Sequence, residues 1–145
     1  MQEGFEEKFM EIQSGLISLC LELTQGKVDK IYAYASVERK SLMFNAFFEK
    51  HGEIITLFQL ENILNIPDKV SWDFLKIGTN DLDKIRKLCE QYEAQTPREM
   101  KMYYDVKTGK YNADYRYEEV CSPETDLSAG MVFDAWLDEV KNKHQ

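Results

Sequence analysis

Residues Glu99 to Tyr117 read EMKMYYDVKTGKYNADYRY, and their alternation decides the fold. Two strand-like runs flank D-V-K-T-G-K. Asp105 suits the first position of a type I turn, where its carboxylate accepts bonds from the turn backbone, and Gly109 can take the left-handed conformation that closes a four-residue loop. With a loop from Val106 to Gly109, Tyr104 faces Tyr111, Met102 faces Ala113 and Met100 faces Tyr115. On the other face Lys101 meets Asp114 and Glu99 meets Arg116. Apolar residues meet apolar ones and each charge meets its opposite, the pairing that stabilises a sheet. A three-residue loop would set Met102 against Asp114, which excludes it. The expectation is a hairpin with one buried face and one wet, salt-bridged face.

The same logic extends outward. Lys30–Val37 and Leu42–Glu49 form a second hairpin, with a loop from Glu38 to Ser41. It pairs Val37 with Leu42, Ala35 with Phe44, Ala33 with Ala46, Ile31 with Phe48 and Lys30 with Glu49. The central alanines let a helix approach closely, the first helix being the natural candidate. A third strand is expected over Ile54–Phe58. Phe5–Thr24 carries apolar residues at three- and four-residue spacing and reads as a helix, with acids in its first turn.

Leu60–Ile77 is ambiguous. Pro67 breaks any long helix, and Trp72, Phe74 and Leu75 read as a buried plug. Thr79 or Asn80 caps a helix over Asp81–Gln95. Ser128 or Asp126 caps a last one, with Phe133, Trp136, Leu137 and Val140 as its stripe. The whole chain, 1–145, reads as one α+β domain: a single antiparallel sheet of about five strands carrying N-terminal, central and C-terminal helices, all on one face. The strand order does not follow from the residues.

The opposite face of the first hairpin is unusual. It carries Tyr32, Tyr34, Met43 and Phe47 where a solvent-facing sheet reads polar. Either the second half of the chain covers it, or copies of the chain meet there, or another protein binds it.

Composition sets further bounds. The chain has 145 residues with 18 basic and 26 acidic side chains, a net charge of −8, which repels nucleic acid and anionic membrane. Cys20, Cys89 and Cys121 are odd in number and widely spaced, as in a reduced, cytoplasmic protein. No apolar run approaches the ~20 residues of a membrane helix. His51 and His144 lie far apart, with no metal-ligand spacing around them. There is no G-x-S-x-G, Walker loop, G-x-G-x-x-G or H-E-x-x-H. These residues point to no cofactor, no metal and no catalytic group.

KIYAYASVE, LMFNAFFEK and TPREMKMYYDVKTGKYNADYRYEE together resemble the YezG-type immunity-protein family of Firmicutes. Its members have an amphipathic helix, a K-x-Y-x-Y-A strand, a Phe-rich strand ending in an acid, a helix and a hairpin with D-Y-x-Y. Here these correspond to Lys30, Tyr32, Tyr34 and Ala35; Phe44, Asn45, Phe47 and Glu49; and Asp114, Tyr115 and Tyr117. After Tyr117 the chain departs from the pattern, with a compact Trp136 segment in place of a Tyr/Arg-rich tail. The resemblance implies a cytoplasmic antitoxin that occludes the catalytic domain of a secreted toxin, often a basic nuclease, and catalyses nothing itself. On that reading, the aromatic sheet face makes Tyr32, Tyr34 and Phe47 the expected anchors, and Asp114 and Glu118 the expected charge contacts; these contacts come from the residues and not from the family pattern. The alternatives are a homodimeric regulatory or adaptor protein, using the same face to self-associate, and a small-ligand binder or enzyme of unrecognised type.

Overall fold

The computed structural model describes residues 4–38, 41–118 and 128–143. In chain order the elements are α1 (Phe5–Thr24), β1 (Lys30–Val37), β2 (Leu42–Lys50), β3 (Glu53–Thr56), α2 (Leu57–Leu64), α3 (Asp68–Gln91), β4 (Glu99–Asp105), β5 (Tyr111–Arg116) and α4 (Ala129–Lys143). The strands form one antiparallel sheet in the order β3-β2-β1-β4-β5, so the two hairpins join through β1 and β4.

Both hairpins adopt the expected register, from Tyr104 opposite Tyr111 to Glu99 opposite Arg116, and from Val37 opposite Leu42 to Lys30 opposite Glu49. The Asp105 carboxylate accepts the amides of Lys107 at 3.0 Å and Thr108 at 3.1 Å. Gly109 sits at φ +76°, where a side chain would be strained. Its N–H donates to the Asp105 carbonyl at 2.8 Å, which closes the loop.

α1 and α3 cover one side of the sheet. Leu16, Cys20, Leu82, Ile85 and Cys89 meet Ile31, Ala33, Ala35, Phe44, Ala46, Phe48, Met100 and Met102. Burying such side chains stabilises the domain by about 1.5–3 kcal/mol for each large one. Alanines on the strands leave room, and Gly78 completes the fit. A Cβ on Gly78 would stand 2.1 Å from Cδ2 of Phe44, so the helix backbone rests directly on that ring.

Four expectations are corrected. The central helix starts at Asp68, because Pro67 serves as its N-cap, a position that needs no backbone donor. The Thr79 hydroxyl instead bonds back to the Leu75 carbonyl at 2.8 Å within the helix. Trp72 is 72% exposed, while Phe74 is buried. β3 ends at Thr56, whose side chain and Gln59 form a reciprocal capping box that starts α2. Finally, α4 packs on the face opposite α1 and α3, so the helices flank the sheet on both sides.

Ser128 Oγ accepts the Met131 amide at 3.2 Å, as expected of a cap. Asp126, Cys121 and His144 lie outside the described residues. Cys20 and Cys89 are buried free thiols, and burial raises the pKa of each.

Candidate partner-binding surface

The expected aromatic anchors lie in a second core. Tyr34 and Phe47 are 0% exposed and Tyr32 is 7% exposed, all beneath α4. Tyr32 stacks on Phe47 with centroids 4.8 Å apart, and Trp136 stands edge-on to Phe47 at 4.9 Å and to Tyr103 at 5.7 Å. Phe133 fills the space beside Tyr34 and Phe47. The stripe of α4 thus meets the one sheet face that α1 and α3 leave open. Burial, with a smaller contribution from Glu49, pushes the Tyr32 phenol up to about 12. Burial and the neighbouring Asp114 carboxylate bring the Tyr103 phenol to about 12 as well. Tyr34 and Phe47 cannot touch a partner while α4 is seated, and Tyr32 is left with a sliver of exposed surface.

The hairpin face expected to be wet is partly buried for the same reason. Glu99 is 1% exposed. Its carboxylate accepts the Tyr34 hydroxyl at 2.8 Å and lies 4.0 Å from Lys101 Nζ. Lys101 in turn sits 5.5 Å over the Trp136 ring, a geometry that favours a cation.

Asp114 and Glu118 fare differently. Both are exposed. Asp114 is on β5, the terminal strand of the sheet, and accepts the Tyr103 hydroxyl at 3.2 Å. Glu118 follows the strand and lies 3.9 Å from the Arg116 guanidinium. These two acids are separated from the three aromatics by burial, so the five residues do not form one surface.

Five of the exposed apolar side chains lie away from these residues. Phe58 and Trp72 are each 72% exposed, and Ile63, Val70 and Ile77 each exceed 40%. All five belong to α2 or the first half of α3. A single helix over 68–91 would have exposed the signal: Phe74, Gly78, Leu82, Ile85 and Cys89 form its buried stripe, and Trp72 falls off that stripe at 3.6 residues per turn. Glu61, Asp68 and Asp73 lie on the same stretch of these two helices, as do Lys69 and Lys76.

A cavity of about 450 Å³ at the β4–β5 end is lined by Lys30, Tyr32, Tyr103, Asp105 and Lys110. Its lysine at position 30 is 3.9 Å from Glu49. Among the described residues no group of three or more His, Cys, Asp or Glu could hold a metal ion, and no helix is long and apolar enough to cross a membrane. His51 occupies an exposed turn at φ +52°, with its amide on Asp29. The chain matches no protein-family model and no curated protein.

Proposed function

We propose that this chain is a partner-binding protein of the immunity type, which occludes a basic protein domain, such as the nuclease domain of a secreted toxin, and catalyses no reaction. The observation that carries the reading is the exposure of Phe58 and Trp72, each at 72%, in a chain whose sheet aromatics Tyr32, Tyr34 and Phe47 are buried. Large aromatics held on rigid helices are the side chains that dominate binding energy at interfaces. A net charge of −8 adds attraction toward a basic partner and raises the association rate. The resemblance at the two hairpins supports the toxin as the partner class, and the cytoplasm of the producing cell as the place of action.

α2 and α3 supply the anchors, and Asp114 and Glu118 supply charge at the β5 margin. The homodimer alternative relies on the aromatic face of Tyr34, which α4 covers. Co-expression with the toxin encoded beside this chain tests the proposal. The toxin domain should co-purify and lose its toxicity; a domain that stays toxic and free in solution contradicts the assignment.

A further inference from the structure

A second recess lies between the start of α1 and the end of β5. It has a volume of about 310 Å³ and is walled by Phe5, Phe9, Met10, Tyr115 and Tyr117, with Glu6 at its rim. The rings form a connected series: Phe5 lies 5.8 Å from Phe9, and Phe9 lies 6.1 Å from Tyr115. Tyr115 is fixed, because its hydroxyl donates to Gln13 Oε1 at 2.7 Å and Gln13 is 0% exposed. Met10 and Tyr117 are 45% and 44% exposed, so the mouth is open to solvent.

Among the described residues, Glu6 is the charged side chain that lines the recess. Glu6 and Glu7 stand in the first turn of α1, where they also offset the positive end of its dipole. Among the described residues no basic side chain lines the recess. The nearest lysine in sequence, Lys8, donates to the Tyr92 hydroxyl at 2.9 Å. Aromatic faces with a carboxylate at the rim attract a cation, and a planar guanidinium stacks on rings better than an ammonium does. Tyr115 keeps its proton more firmly than a free phenol, chiefly through burial. The wall therefore presents a neutral π-face through the physiological range.

We propose that this recess is a slot for an arginine side chain of a partner protein. The guanidinium lies between the Phe9–Tyr115 wall and the Tyr117 ring and pairs with Glu6, while its methylene stem covers Met10. The slot opens at the end of β5, whose outer edge pairs with no strand among the described residues. An extended basic segment running along that edge would bring its arginine to the slot and pass the exposed Asp114 carboxylate. The inference rests on the partner-binding reading only for the source of the arginine.

The test needs no partner. The intact protein, labelled at its methionine methyl groups, is titrated with N-acetyl-arginine amide and with the citrulline compound, which has the same shape and no charge. The Met10 methyl signal should shift saturably with arginine and about two- to fivefold more weakly with citrulline, the ratio an exposed cation–π contact produces. Glu6→Gln and Tyr117→Leu should each weaken the arginine response by a similar factor, while Trp72→Ala leaves it unchanged. An unmoved Met10 signal, an equal response to citrulline, or full binding by Tyr117→Leu would overturn the slot. Failure here leaves the co-purification result standing, and failure of co-purification leaves this titration standing.

Discussion

The Tyr34 hydroxyl donates to the Glu99 carboxylate at 2.8 Å beneath α4, and neither side chain reaches solvent. The bond joins the middle of β1 to the start of β4, across the seam between the two hairpins. Tyr34→Phe removes a charge-assisted donor from a buried carboxylate, which costs about 1–3 kcal/mol. A lower urea midpoint with an unchanged slope is the expected result. Restoring apolar character at both positions, Tyr34→Phe with Glu99→Leu, should recover part of the loss.

Trp136 closes the second core. It touches Tyr32, Tyr34, Phe47 and Tyr103 and lies under Lys101. Trp136→Ala should cost about 3–5 kcal/mol, or unseat α4 altogether. Binding of a hydrophobic dye distinguishes the variant from wild type, since an unseated α4 exposes the stacked Tyr32 and Phe47 rings.

Gly78→Ala opposes two effects. Alanine is the better helix former by about 1 kcal/mol, but its methyl would overlap the Phe44 ring at 2.1 Å. Overpacking of this kind costs typically about 1–3 kcal/mol, so the variant should melt below wild type. Pairing it with Phe44→Leu should relieve part of the strain, and the double-variant cycle measures how much.

Asp105 links the β4–β5 turn to pH. The backbone amide of Thr108, followed by that of Lys107, holds its carboxyl below the ordinary value despite slight burial. The unfolded chain therefore binds the proton first. The carboxylate's contribution is present above the unfolded pKa of about 4 and is lost as pH falls through the lower folded value. Thermal melts from about pH 5 down to about pH 3 should show Asp105→Asn with a shallower loss of stability than wild type.

Much of the fold was legible because the β4–β5 hairpin carries two-residue alternation with opposed charges on one face. One register satisfied Glu99–Arg116 and Lys101–Asp114 together, and the structure keeps it. The span of α3 was not legible. Gly78, Thr79 and Asn80 look like a helix boundary, and only the Phe44 ring, distant in sequence, explains a glycine inside a helix. The aromatic face was legible as unusual, and α4 covers it, one of the three readings the residues left open; which of the three holds was not legible. Tyr32, Tyr34 and Phe47 form one complete apolar surface and the α4 stripe another, and their match appears only in three dimensions. The exposed Trp72 was hidden by the same misplaced boundary.

The exposed anchors provide the most direct test. Co-purification of the toxin domain encoded beside this chain is compared for wild type, Trp72→Ala, Phe58→Ala and the buried control Tyr34→Phe. Wild type and the control should retain the domain, while each anchor variant weakens binding by roughly tenfold or more. Equal retention by all four, or none by wild type, would contradict the account.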